Sequence, residues 1–157
     1  MRKTLRRFAA LFFLTTLVLP LFAANLGSAP MNVASMNLDL VSVERRGNVL
    51  TVKWAVTNQG KENQEVKFGL KGKHTTSYVV DEESGTKYYA LTDKEGNLLA
   101  SQSQYVGADT FGIGESINPA ATKRYWAKFP APPPGVKSIN ILFTDTEPFE
   151  SVAITDK

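Results

Sequence analysis

Beyond residue 35, apolar and polar residues alternate along most of the chain with the two-residue period of a strand that buries one face. The clearest run is Val49–Asn58, in which Leu50, Val52, Trp54 and Val56 alternate with Thr51, Lys53, Ala55 and Thr57. A strand over 36–43 precedes it and ends at the turn Arg46-Gly47-Asn48. Residues 65–70 repeat the pattern, with Val66, Phe68 and Leu70 inward and Glu65 and Lys67 outward. Further strands are predicted over 77–81, 86–91, 97–101, 123–129, 136–143 and 149–154. Turn-forming clusters separate them: Asn58-Gln59-Gly60, Glu82-Glu83-Ser84-Gly85, Asp93-Lys94-Glu95-Gly96 and the proline-rich connector 130–135. No stretch beyond the leader has the period of an amphipathic helix. Many short strands between turns imply an all-β domain over 36–157, and a β-sandwich of roughly 7–9 strands suits that length.

Two segments break the rhythm. The first is the N-terminus, where Arg2, Lys3, Arg6 and Arg7 precede an apolar run from Phe8 to Phe22 and the small residues Ala23 and Ala24. That order is the pattern of an export signal, with cleavage expected near Ala24 and a flexible lead-in over 25–35. The run is short for a membrane span and Pro20 interrupts it. The alternative is an uncleaved anchor, the one route by which this reading places the chain at a membrane. Composition then sharpens the picture. The 157 residues carry a formal +3, but four of the 18 basic residues sit in the leader. That leaves 14 against 15 acids elsewhere, a net −1, so the basic balance is no argument for nucleic-acid binding. With no cysteine there is no thiol to acylate and no disulfide to hold the fold. The expected address is periplasmic, cell-envelope or secreted.

The second break is the segment 102–122, which carries Gly107, Gly112, Gly114 and Pro119 and little alternation. A connection of that length inside a small domain reads as a loop that is either functional or poorly ordered, and it supplies two aromatic candidates, Tyr105 and Phe111. Trp126 supplies another: its neighbours at even spacing are Arg124 and Lys128, whereas Tyr125, Ala127 and Phe129 share the opposite, apolar face. A tryptophan between two cations suits a protein-binding or sugar-stacking surface.

Catalytic chemistry is poorly served. The single histidine, His74, lies in the loop Lys71-Gly72-Lys73-His74-Thr75, with no nucleophile–base pair beside it. Asp81, Glu82 and Glu83 fall in one turn and Asp93 and Glu95 in another, where charged turn residues are ordinary. The stretch from Asp93 to Asn97 lacks the spaced oxygens of a calcium loop, and one histidine without thiolates cannot build a zinc site. The glycines form no phosphate cradle. No enzyme activity, cofactor or metal is expected.

A family likeness is carried by particular residues. The stretch Lys87-Tyr88-Tyr89-Ala90-Leu91-Thr92-Asp93-Lys94-Glu95-Gly96 resembles a recurring hairpin of bacterial secreted immunoglobulin-like domains, the telokin-like group. The runs Ile117-Asn118-Pro119, Tyr125-Trp126-Ala127-Lys128-Phe129-Pro130-Ala131-Pro132-Pro133 and Glu147-Pro148-Phe149-Glu150-Ser151-Val152 resemble the same family. They are most similar to the module ahead of OmpA-type domains in some bacterial envelope proteins. Val49–Asn58, ending in Thr-Asn, matches another family feature. The likeness runs from Leu38 to Ile154 and implies an immunoglobulin-type sandwich in the cell envelope, without catalytic residues. Ala120 stands where relatives usually have glycine, so that turn is expected to differ. No OmpA-type sequence follows Lys157, so wall anchoring is not carried over.

Together these readings predict a non-catalytic interaction module that binds another envelope or extracellular protein through sheet edges and the 102–122 segment. The alternatives are a proteinase inhibitor acting through an exposed loop and a carbohydrate-binding module using Trp126 and nearby tyrosines. The candidate contact residues are Trp126, Arg124, Lys128, Tyr105 and Phe111.

Overall fold

The computed structural model describes residues 26–107 and 109–157; the export signal expected over residues 1–24 lies outside them. Twelve strands are present and no helix among the described residues. In chain order they are β1 (Gly27–Pro30), β2 (Met36–Arg46), β3 (Val49–Asn58), β4 (Gln64–Gly72), β5 (Tyr78–Val80) and β6 (Lys87–Tyr88). The second half adds β7 (Ser103–Gly107), β8 (Thr110–Ile117), β9 (Thr122–Pro130), β10 (Ser138–Leu142), β11 (Phe149–Ala153) and β12 (Thr155–Asp156).

One sheet runs β1-β2-β3-β9, antiparallel throughout, with β12 added parallel to β2. Two further sheets, β11-β10-β5-β6 and β4-β8-β7, are also antiparallel. They are stitched together at Gly69, whose carbonyl accepts the N–H groups of Thr76 and Ser77 and whose own N–H donates to Thr144 Oγ1. Rings then bridge from the first sheet to the other two. Trp54 of β3 meets Phe68 of β4 edge-on at 5.4 Å and Phe143, just after β10, at 4.7 Å. The result is sandwich-like: inward side chains of the sheets interdigitate as one core.

The alternation read from sequence builds that core. Leu50, Val52, Trp54 and Val56 of β3 are fully buried, as are Val66, Phe68 and Leu70 of β4 and Ile139 and Ile141 of β10. Each such side chain contributes roughly 1.5–3 kcal/mol relative to exposure. In β2, Leu38 and Leu40 point inward, then a register shift between Leu40 and Ser42 resets the phase. Val43 and Arg45 therefore take the inward positions that strict alternation would have denied them.

Several expectations require correction. The segment 102–122 is not a loop: it forms β7 and β8, a hairpin whose second strand pairs with β4 along its length. Its glycines are the reason for the misreading and for the structure. A Cβ on Gly112 would lie 1.8 Å from the Phe68 carbonyl oxygen, so β4 and β8 can approach only where that side chain is missing. The lead-in 25–35 contains β1, paired with β2 from Gly27 to Pro30. Residues 97–101 form no strand, only isolated bridges from Leu98 to Thr92 and from Ala100 to Ala127, with irregular bonds to Leu91 and β9. The strand expected over 86–91 shrinks to Lys87–Tyr88. Among the described residues no helix is long and apolar enough to cross a membrane.

Asn58, at the end of β3, is completely buried and fully used. Its Nδ2 donates to the carbonyls of Glu62 (2.7 Å) and Ile117 (2.8 Å), and its Oδ1 accepts from the Gly60 N–H (2.8 Å). Its backbone meets Ala120 and Ala121, so one residue ties the β3–β4 turn to the β8–β9 connection. We expect Asn58→Ala to cost about 2–3 kcal/mol in urea unfolding, because it strands two carbonyls and an N–H. In the same connection Ala120 is held at a φ of 58°, a left-handed conformation that penalises a Cβ. Ala120 is exposed, so Ala120→Gly should relieve that strain and raise stability by about 0.5 kcal/mol, read in the same assay.

Candidate binding surface

β9 presents two faces. Tyr125, Ala127 and Phe129 enter the core, while Arg124, Trp126 and Lys128 lie on the outer face of the five-stranded sheet. Trp126 remains 38% exposed, and Lys128 Nζ sits 5.9 Å from its ring centroid. Its backbone is held on the free side of β9: the Trp126 N–H donates to Ser101 Oγ (2.8 Å) and its carbonyl accepts the Ser101 N–H (2.8 Å). Trp126 therefore faces Lys53 of β3 as a non-hydrogen-bonded pair, the arrangement that brings cross-strand side chains closest.

Register extends this row inward. Lys128 pairs with Thr51, Trp126 with Lys53 and Arg124 with Ala55. Beyond Lys53 and Thr51 lies Glu44 of β2, and a shallow depression of about 390 Å³ opens among Glu44, Arg46, Thr51, Lys53, Lys128 and Lys157. Glu44 pairs with Lys157 at 3.1 Å and with Lys53 at 3.5 Å, and these cations, Lys157 foremost, lower its pKa. Arg46, Arg124 and Lys128 join no ion pair among the described residues.

Lys157 reaches this face because its neighbour is anchored. Arg45 is buried, only 5% exposed. It donates to Asp156 Oδ1 at 2.6 Å and Oδ2 at 3.1 Å, and to the carbonyls of Pro132, Pro133, Pro134 and Val136. The proline connector thus supplies carbonyl acceptors for a buried cation.

Tyr105 and Phe111 lie on a different sheet. They pair across β7 and β8 with ring centroids 3.9 Å apart, 68% and 36% exposed. Phe111 borders the turn 95–98, which Lys71 Nζ holds through the Gly96 carbonyl at 2.9 Å. The five candidate residues therefore fall into two groups, Arg124–Trp126–Lys128 on one sheet and Tyr105–Phe111 on another. Sequence reasoning missed Arg46, Lys53, Thr51, Glu44 and Lys157 as members of the first group. Their outward phase was legible for β3, but the β3–β9 register that brings them to Trp126 was not.

Two of the turn carboxylates considered for catalysis, Asp81 and Asp93, are occupied structurally. Asp81 accepts the Ser84 hydroxyl at 2.6 Å and the Glu83 N–H, closing its own turn. Asp93 does the same for Asn97, and that hydrogen bond lowers its pKa. Glu115 receives Lys123 Nζ at 2.7 Å and the Tyr125 hydroxyl at 3.1 Å. The lysine pulls Glu115 below the usual carboxylate range, while burial pushes the Tyr125 phenol far above its own. A carboxylate made less basic beside a phenol made less acidic does not exchange protons near neutrality. His74 is exposed, and no group of three His, Cys, Asp or Glu among the described residues could hold a metal ion.

No family model, curated protein or solved structure matches the chain.

The Arg45 contact gives the C-terminal strand a pH dependence. Arg45 first, and Lys137 after it, depress Asp156 from its ordinary 3.8 to about 2. Since the folded value lies below the unfolded one, the pair's stabilisation is complete above about pH 4 and is lost as pH falls through about 2. Hydrogen exchange should show the Lys157 N–H, which donates to the Arg45 carbonyl, losing protection over that interval. In Asp156→Asn it should be weakly protected at both ends of it.

Proposed function

We propose that the chain is an exported, non-catalytic interaction module of immunoglobulin-like type that binds another cell-envelope or extracellular protein through the β7–β8 hairpin. The observation that carries this reading is the tilted Tyr105–Phe111 ring pair across β7 and β8, with β7 at the end of its sheet and no further strand partner among the described residues. A free strand edge offers a ladder of N–H and C=O groups to an extended segment, and adjacent aromatics anchor it. Aromatic side chains concentrate interface energy because they bury large area at small entropic cost. The leader motif supports export. The all-β architecture of antiparallel sheets around one core and the likeness to telokin-like domains support the fold type.

A proteinase inhibitor needs a freely exposed reactive loop. Residues 103–117, the segment that supplied such a loop in the sequence reading, are largely paired as strands.

Cross-linking in intact cells, followed by capture and mass spectrometry, tests the proposal. One dominant envelope or extracellular neighbour is expected, and Tyr105→Ala with Phe111→Ala should reduce its yield about tenfold or more while the unfolding midpoint barely moves. Undiminished capture by that double variant would remove the hairpin from the interface.

A further inference from the structure

The outer face of β2, β3 and β9 carries a charge pattern that the hairpin reading does not use. Outside the leader the chain sums to −1. Around the depression beside Trp126, however, Arg46, Lys53, Lys128 and Lys157 meet the single acid Glu44, a local excess of three positive charges. Arg124 extends the row on the far side of Trp126. Positive charge is thus gathered on one face of a domain whose residues beyond 24 sum to −1, around one exposed indole.

The surroundings of that indole decide what it accepts. A tryptophan anchoring a protein interface sits in an apolar, desolvated centre ringed by weaker contacts. Here the neighbours are Lys53, Arg124, Lys128 and Thr51, all able to donate hydrogen bonds, and only Val49 adds an aliphatic side chain to the depression. Single-stranded nucleic acid calls for a series of aromatic platforms along a groove, and this face has one. A membrane surface calls for an apolar face to insert, which is missing for the same reason. What fits is a ligand with a flat apolar patch for the ring, hydroxyls for the donors and negative charge at short intervals. Strand geometry places Arg124 and Lys128 each about 7 Å along β9 from Trp126, so cations flank the stacking position on both sides.

We propose that this face binds an acidic polysaccharide, a sugar ring stacking on Trp126 while its carboxylate or sulfate groups pair with Lys128, Lys53, Arg124 and Arg46. The site is preorganised: Ser101 fixes the Trp126 backbone from one side and the β3 ladder positions its cross-strand neighbours from the other. It is distinct from the hairpin surface and stands whether or not that surface has a protein partner.

Isothermal titration calorimetry of the purified protein with an oligogalacturonate tests the carboxylate source, and a heparin fragment tests the sulfate source. Trp54 is fully buried, so a change in tryptophan emission on titration reports Trp126. Saturable binding to either acidic glycan is expected, weakening as salt rises and absent with an uncharged galacto-oligosaccharide. Trp126→Ala and Lys128→Glu should each reduce affinity about tenfold or more, with circular dichroism unchanged because both side chains lie on the surface. Arg46→Glu gives the same reading at the opposite side of the depression. Absence of saturable binding to both glycans by folded protein overturns the proposal. So does equal affinity for a polyglutamate peptide, phosphatidylglycerol vesicles or a single-stranded oligonucleotide, since the face would then read charge alone.

Discussion

The fold turns on Trp54. It lies in the middle of β3, and its ring meets Phe68, Tyr125 and Phe143 with centroids 5.4, 6.0 and 4.7 Å away. Those partners belong to β4, β9 and the end of β10, so a single side chain touches strands on both sides of the core. Its indole N–H finds no hydrogen bond among the described residues, a cost of about 1–3 kcal/mol. Three aromatic pairs at about 0.5–1.5 kcal/mol each, added to the burial of the whole ring, outweigh that cost. In a domain without disulfides, these ring contacts between sheets take part of the role that a covalent bridge would otherwise play.

What alternation could show, it showed. Val49–Asn58 was legible to the residue because both of its faces obey one period and its ends are turns. The hairpin β7–β8 was not, because glycine erases the alternation signal at the positions where backbones must come closest. Gly112 against the Phe68 carbonyl and Gly72 against the Asp109 carbonyl are close approaches that forbid a side chain. A glycine in a strand and a glycine in a loop look identical until the partner strand is known. The short β1 and β12 escaped notice for a related reason: they add to β2 by backbone bonds, and sequences such as Gly27–Pro30 carry no apolar face of their own.

Arg45 illustrates a different limit. Strict alternation from Leu38 and Leu40 would have placed it outward among the solvated charges. The register shift at Leu40/Ser42 turns it inward, where an uncompensated guanidinium would be costly. Its partners come from two distant segments, the proline connector and Asp156, so nothing near it in sequence announces the arrangement. The same arrangement carries Lys157 onto the outer face. The surface charge there thus depends on a buried contact, and the C-terminal residue belongs to the site only through it.

The candidate residues divide by the same logic. Trp126, Arg124 and Lys128 were legible as a group because they share the polar phase of one strand, a property local to β9. The enlarged cationic face was not, since it needs the β3–β9 and β2–β3 registers, which are long-range facts. Tyr105 and Phe111 were picked from a segment read as a loop, yet they work differently once paired. A hairpin fixes their rings against each other at 3.9 Å, whereas a loop would have to order them on binding. Two kinds of surface result: aromatic pairing beside a free backbone edge, and a lone indole among cations on a closed sheet. The first offers backbone hydrogen bonds and apolar area; the second offers charge and one flat ring. Ligands suited to one are poorly suited to the other, so a single small domain has room for two separate recognition tasks.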